Sequence, residues 1–397
     1  MDSKKTVLYV LNILLLFLFI VSCNADTDSD KLENVYTDAN YSDYKFNKIN
    51  NDITNSRQNA ITKVVSECSE AIVGINVTEV IEKRALDIDI FEYFFGGNST
   101  RRYEVKGLGS GFIISPDGYI LTNHHVAGNA SKIVVTLTNG EKYDADIIGS
   151  DMVSDVCLLK INSKNKKLPY LRFSNSNNVI VGEWAIAFGN PFGLFDMNAK
   201  PSVTVGVISN KGVNFFQNDK YTGEYRVYKD MLQTDAAISS GNSGGPLLNA
   251  LGEVIGMNTV IFSTATSNKG AGSIGIGFSV PINRVRNIVD ILKSGRKIER
   301  NIYIGMEIDI ITPEIARYYK LPKNEGIYVN RIFRNSIADD AGIEPGDVIV
   351  KINGEDIINS DMFYIAIGDA MVGDKLNLEI LRGNQKSNHT LKIKSQK

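Results

Sequence analysis

The sequence predicts a mostly β protein, an all-β barrel or sandwich followed by a smaller α+β module. From Ala71 onward, short apolar strands alternate with tight turns at the spacing that barrels and sandwiches use. A helical pattern closes that region, and after roughly residue 297 the strand-and-turn pattern restarts on a smaller scale. No internal repeat is visible.

Each element has a local cause. Ile61, Val64, Val65 and Cys68 recur at helical spacing from Ala60 and lead into an apolar strand, Ala71–Val77. Phe112–Ile114 runs into Ser115-Pro116-Asp117-Gly118, where Pro presets the turn and Gly can take a positive φ; Tyr119–Thr122 continues as the next strand. Ile133–Leu137 alternates and meets Asn139-Gly140, a strong hairpin signal. Val285, Ile288, Val289 and Leu292 share one helix face, with Gly295 placed as a cap just beyond. In the smaller module, Thr312-Pro313-Glu314 reads as a helix start, Thr as N-cap and Pro at the first helical position. Gly342–Asp347 forms a turn feeding the strand Val348–Ile352, and Asn353-Gly354 turns the chain back.

A chain of 397 residues exceeds one compact domain, and 43% hydrophobic with 22% charged residues is the composition of ordinary globular protein. The net charge of -2 gives no electrostatic reason to expect nucleic acid; Lys164, Lys166 and Lys167 read as a solvated loop. Three cysteines without a CxxC pair, and three His without ligand spacing, signal neither zinc nor a disulfide framework, and no metal or other cofactor is expected. Cys157 lies in the apolar run Val156–Ile161 and Cys68 on a helix, so both read as small core residues. A Cys68–Cys157 disulfide is the alternative.

The amino terminus reads as an address. Lys4 and Lys5 precede an apolar run from Val7 to Val21, interrupted only by Asn12. That is short for a membrane-spanning helix and suits a signal-peptide core. It ends Ile20-Val21-Ser22-Cys23, which resembles the lipobox of bacterial lipoproteins and implies lipidation of Cys23. A plainly cleaved signal or a retained anchor are the alternatives. Residues 24–55 are rich in Asn, Asp, Ser and Lys and read as a flexible tether.

The strongest chemical signal is Gly241-Asn242-Ser243-Gly244-Gly245-Pro246-Leu247. A serine nucleophile needs a tight turn that exposes its hydroxyl and aims backbone N–H groups at a developing oxyanion. A Gly-rich turn between strands is the alternative reading of this segment alone. Its flanks, Gln233-Thr234-Asp235-Ala236-Ala237-Ile238 and Gly252-Glu253-Val254-Ile255-Gly256, resemble those of HtrA/Deg proteases. Thr122-Asn123-His124-His125-Val126 resembles that family's histidine motif, and Ser154-Asp155-Val156-Cys157-Leu158-Leu159-Lys160 its aspartate motif. The resemblance covers roughly residues 56–395. It implies a chymotrypsin-type double β-barrel with His125, Asp155 and Ser243 as the triad and Gly241 and Ser243 as oxyanion-hole donors. Because the family's histidine directly precedes the Val, His125 is favoured over His124; Asp151 and Asp144 are weaker rivals to Asp155.

Two departures from digestive trypsins carry information. Asn242 stands where those enzymes use an Asp to capture a freed amino terminus, so activation by loop rearrangement is expected. Ala237 stands six residues before the nucleophile, and an S1 pocket of Ala237 and Ile238 has no carboxylate for Lys or Arg. Gly189-Asn190-Pro191-Phe192-Gly193-Leu194 resembles the family's activation loop. Asp89–Phe95 resembles its aromatic regulatory loop, although a core strand would read the same way.

In the smaller module, Tyr303-Ile304-Gly305-Met306 resembles the carboxylate-binding loop of PDZ domains, which take peptides with free apolar C-termini. The implied organisation is a leader over 1–23, a tether over 24–55, a trypsin-like domain over 56–296 and a PDZ domain over 297–397. One PDZ domain behind a membrane tether resembles the stress-sensing, DegS-like arrangement. The resemblance implies an extracytoplasmic, lipid-anchored endopeptidase for misfolded or signalling proteins. It also implies a homotrimer, in which Tyr44 or Phe46 would take part; a loosely packed tether is the alternative for these aromatics. A chaperone or peptide-binding scaffold is the alternative, and the intact triad argues against it.

Overall fold

The computed structural model describes residues 57–84, 100–190, 200–218, 225–239, 241–261, 275–321, 325–383 and 385–395. The expected leader with Cys23, the expected tether with Tyr44 and Phe46, the segment 89–95 and residues 191–194 lie outside them.

Helix α1 (Ala60–Cys68) begins at Asn59, whose side chain accepts the Thr62 N–H while the Thr62 hydroxyl accepts the Asn59 N–H. This reciprocal cap satisfies two N–H groups that the first turn leaves open. Six strands follow: β1 (Ile72–Arg84), β2 (Thr100–Ile113), β3 (Tyr119–Thr122), β4 (Lys132–Thr136), β5 (Lys142–Asp151) and β6 (Val156–Ile161). They close into a barrel in the order β1-β2-β3-β6-β5-β4, with helix α2 (His124–Ala127) between β3 and β4. The predicted turn at Gly118 has φ 100, and a Cβ there would sit 2.8 Å from the Ile161 carbonyl, so only glycine fits.

A second closed barrel follows, of β7 (Trp184–Gly189), β8 (Ser202–Asn218), β9 (Tyr225–Thr234), β10 (Pro246–Leu248), β11 (Val254–Ile261) and β12 (Gly277–Pro281). The implied double barrel is present. Neighbouring residues of β2, β3 and β6 serve two cores. Ile113, Ile120 and Leu159 fill the first barrel. Phe112, Leu121 and Leu158 join Ile186, Phe188, Met231 and Val254 of the second-barrel region in a shared core. With both faces buried at these positions, the pairs Phe112-Ile113, Ile120-Leu121 and Leu158-Leu159 are consecutive apolar residues rather than alternating ones. Truncating Leu121, wholly buried, to Ala would cost about 2–5 kcal/mol.

Helix α3 (Ile282–Lys293) buries the predicted face of Val285, Ile288, Val289 and Leu292, together with Ile282. Gly295, at φ 72, closes it by donating to the Leu292 carbonyl. The remaining elements are β13 (Met306–Ile310), α4 (Pro313–Tyr318), β14 (Ile327–Ile332), α5 (Ile337–Asp340), β15 (Val348–Ile352), β16 (Glu355–Asp356), α6 (Ser360–Gly368), β17 (Lys375–Arg382) and β18 (Gln385–Lys392). They form a sheet in the order β13-β14-β15-β17-β18, with β16 beside β15. Its separate core includes Ile304, Val329, Ile349, Phe363 and Ile380. The Thr312 hydroxyl caps α4 and Pro313 opens it, as predicted.

Cys68 and Cys157 are both buried free thiols, so the disulfide alternative is not formed. Burial, helped by the nearby Asp155 charge, pushes the Cys157 thiol up to about 12.

Candidate active site

The two adjacent histidines of α2 part company. His124 is buried, with Nδ1 3.0 Å from the Ser150 hydroxyl. His125 keeps 31% of its side chain exposed and sets Nδ1 2.9 and 2.8 Å from the two carboxylate oxygens of Asp155. Of the rivals to Asp155, Asp144 is exposed on β5, and Asp151 directs its carboxylate at Arg300.

Asp155 adopts φ 57, a conformation non-glycine residues rarely take and one that costs on the order of 1–3 kcal/mol. Its surroundings hold it there. The preceding turn is tied by Asp151, which accepts hydrogen bonds from the Ser154 N–H at 3.1 Å and hydroxyl at 2.5 Å. The Asn123 amide donates to the Asp155 carbonyl at 2.9 Å. The carboxylate accepts the His125 backbone N–H at 3.0 Å and the Thr259 hydroxyl at 2.5 Å. Complete burial on its own would raise the pKa of this carboxyl. The His125 charge and the hydrogen bonds from His125 and Thr259 outweigh it and hold the group below its ordinary value.

Ser243 sits in the turn between β9 and β10, with Gly241 at φ 95 and Gly244 at φ 84. A Cβ at Gly244 would collide with the Ser110 carbonyl and the Thr122 hydroxyl, so glycine is required there. The Ser243 hydroxyl donates to the Thr259 carbonyl at 2.9 Å. The backbone N–H groups of Gly241 and Ser243 have no acceptor among the described residues. His125, Gly241 and Ser243 line one cavity of about 260 Å³ with Val77, Glu79, Gly107, Leu108 and Val126. Ala237 and Ile238 do not line it: Ala237 is exposed, and Ile238 is wholly buried against Gly277 of β12. Among the described residues no three His, Cys, Asp or Glu side chains gather as a metal site.

In the third sheet, Tyr303 is half-exposed, Ile304 is buried and Met306 opens β13. Gly305 has φ 77, and any Cβ on it would run into Ser336. The Gly305 carbonyl accepts the Phe333 N–H and the Ile304 carbonyl the Ala338 N–H, each at 3.0 Å.

The sequence reading missed Thr259 and Ser110. Thr259 lies inside the apolar strand β11, where a hydroxyl looks incidental. Ser110 lies in Gly109-Ser110-Gly111 and becomes meaningful only once β2 passes behind the Ser243 turn.

Two closed barrels with this His–Asp pair beside a serine, followed by a peptide-domain sheet, define the class: a trypsin-like peptidase domain with a PDZ domain. Residues 109–257 match the trypsin-like peptidase domain family and residues 272–393 the PDZ domain family. A probable periplasmic serine endoprotease, DegP-like, of Chlamydia pneumoniae is 42% identical over 297 residues, which is 74% of this chain and 57% of that protein. The chain thus spans little more than half the length of that relative. The putative serine protease HhoA of Synechocystis sp. is 38% identical over 345 residues, covering 83% of each chain. A solved structure titled HtrA-type protease AlgW with tripeptide superposes with a TM-score of 0.63 at 32% identity, covering 84% of this chain and 96% of that one. The chain belongs to the HtrA/Deg family of serine proteases.

Proposed function

We propose that the protein is an extracytoplasmic serine endopeptidase that cleaves misfolded or signalling proteins through an acyl-enzyme. The carrying observation is the His125–Asp155 pair, 2.8 Å apart with the carboxylate fully buried, whose histidine lines one cavity with Ser243. Ser243 attacks the scissile carbonyl as His125 accepts its proton, and His125 then protonates the leaving amine. Asp155, kept ionised, holds the imidazole with Nδ1 inward and stabilises the imidazolium. The Gly241 and Ser243 N–H groups bind the oxyanion. The hydroxyl of Ser243 must leave the Thr259 carbonyl to engage His125, which fits an enzyme whose resting state needs a trigger. Water then hydrolyses the ester, with His125 as base.

In this reading Ala237 and Ile238, which do not line the Ser243 cavity in the resting structure, form an apolar S1 pocket only once the site rearranges. The loop Tyr303-Ile304-Gly305-Met306 grips free apolar C-termini and regulates the protease. The periplasmic naming of relatives supports an extracytoplasmic site. Anchoring through Cys23 and a homotrimeric assembly complete the reading and rest on the sequence resemblances alone. Casein cleavage by the purified chain, lost in Ser243→Ala, tests the central claim. Palmitate labelling that Cys23→Ala does not abolish removes the anchor.

A further inference from the structure

Ser110 lies near the end of β2, wholly buried, and takes no part in the proton transfers above. Its hydroxyl accepts the Asn190 N–H at 2.7 Å and donates to the Gly241 carbonyl at 2.5 Å. A serine hydroxyl has one proton, so that proton is committed to Gly241. The Ser110 backbone N–H adds a third tie, to the Ser243 carbonyl at 3.0 Å. The residue itself is fixed: its carbonyl accepts the Thr122 hydroxyl at 2.8 Å, and it stands in ladder register with Gly74 of β1.

The turn that Ser110 holds has little stiffness of its own. Gly241 at φ 95 and Gly244 at φ 84 occupy backbone regions that glycine enters and leaves freely. Its peptide planes are therefore set by outside partners. The Gly241–Asn242 plane is gripped at its carbonyl by Ser110 and at its N–H by the Ser239 carbonyl, 3.0 Å away. The Asn242–Ser243 plane is held at its carbonyl by the Gly245 N–H, 3.0 Å away. Because a trans peptide points its N–H opposite its carbonyl, that contact sends the Ser243 N–H the other way. Ser110 then closes the frame on the Ser243 carbonyl. One side chain and its N–H thus hold two of the three successive carbonyls.

We propose that Ser110 is a positioning residue of the acyl-transfer site. It ties the backbone of Asn190 to the Gly241 carbonyl and so holds the Gly241–Ser243 turn in the shape that presents its N–H groups to the oxyanion. The inference rests on the protease reading of the same site. It also gives Asn190, at the mouth of the segment resembling the family's activation loop, a direct hydrogen-bonded route to the oxyanion hole.

The test compares the full chain with Ser110→Ala and Ser110→Thr on a chromogenic peptide. A peptide boronic acid serves as transition-state probe, and thermal unfolding gives the folded fraction. Deleting an oxyanion-hole donor outright lowers kcat by about 100- to 1000-fold. Acting at one remove, Ser110→Ala should lower it by about 10- to 100-fold per folded molecule, with KM within about twofold. Boronate affinity should fall by the same factor as kcat/KM, and Ser110→Thr, which keeps the hydroxyl, should recover most of kcat. An unchanged kcat in Ser110→Ala overturns the proposal, as does a raised KM with kcat intact or a properly folded Thr variant as slow as Ala. If the Thr variant unfolds early, the boronate comparison on Ser110→Ala decides alone. An unaltered chain no faster than Ser243→Ala removes the protease reading itself, an outcome the wild-type reference separates from failure of the Ser110 role.

Discussion

The Arg300 guanidinium clasps the Asp151 carboxylate at two points, Nε to Oδ1 at 2.9 Å and Nη2 to Oδ2 at 2.8 Å. Both side chains are almost wholly buried, 6% and 4% exposed. Arg300 also donates to the carbonyl of Asp369 just past α6, and Asp369 in turn takes a two-point ion pair from Arg284 of α3. Asp151 meanwhile holds Ser154, the neighbour of Asp155. The third sheet is thereby joined to the turn that carries the Asp of the candidate triad. Arg300→Ala leaves a buried carboxylate without its cation, and breaking such a pair costs about 3–5 kcal/mol. Urea unfolding should show that loss, and Arg300→Met combined with Asp151→Asn should recover a large part of it.

The same pair makes stability depend on acid. Burial opposes ionisation of Asp151, but the Arg300 charge and the hydrogen bonds from Arg300 and Ser154 outweigh it and hold the carboxyl below its ordinary value. A folded-state pKa below the unfolded value of about 3.9 means the stabilisation is complete above that pH and is lost as pH falls through the folded value. Asp155 is shifted in the same direction and adds to the trend. Melting temperatures from pH 7 to pH 3 should therefore drop more steeply for the native chain than for Asp151→Asn. Parallel curves would contradict the assignment.

His124 and His125 should separate cleanly in kinetics. Loss of a triad histidine costs about a million-fold in kcat in comparable enzymes, so His125→Ala should be inert on casein. His124 packs beside Ser150, away from Asp155, and His124→Ala should retain most turnover per folded molecule. A dead His124→Ala that melts normally would reverse the assignment.

Much of this was legible because the strongest signals are local. The turn at Gly118, the cap at Thr312 and the apolar face of α3 are each set by residues close in sequence, and each formed where expected. The His–Asp–Ser order was readable through motif resemblance. What the sequence withheld are contacts closed by folding. Thr259 reaches Asp155 across 104 positions, Ser110 reaches Gly241 across 131 and Arg300 reaches Asp151 across 149. A hydroxyl or guanidinium gives no periodic signal, so its partner emerges only when two barrels and a sheet bring distant strands together.

If the proposed S1 pocket forms at Ala237 and Ile238, it offers no carboxylate to a basic side chain. Peptides with Val, Ala or Ile before the scissile bond should be cut much faster than those with Lys or Arg, because burying an unpaired cation in an apolar pocket is strongly unfavourable. Mass-spectrometric cleavage profiles of denatured protein measure this. A profile dominated by basic residues would rule the pocket assignment out.

Peptide control of the protease is the last expectation. Asn242 lacks the carboxylate needed for trypsin-style activation by a freed amino terminus, and the resting Ser243 hydroxyl is spent on Thr259. A bound peptide shifts an inactive-to-active equilibrium only by its differential affinity for the two states. Typical coupling of about 1–3 kcal/mol raises activity about 5- to 150-fold when the active state is rare. Peptides with a free apolar C-terminus should therefore accelerate cleavage of a short reporter, and amidated counterparts should not. Truncating the chain ahead of Arg300 is a poor control, since it strands the buried Asp151 carboxylate. Gly305→Ala is a better one, because its added methyl collides with Ser336 at the loop proposed to bind the peptide carboxylate and leaves Arg300 in place. It should abolish the response while preserving the basal rate. Reporter turnover that ignores every tightly bound peptide in the native chain would reduce the domain to a substrate tether.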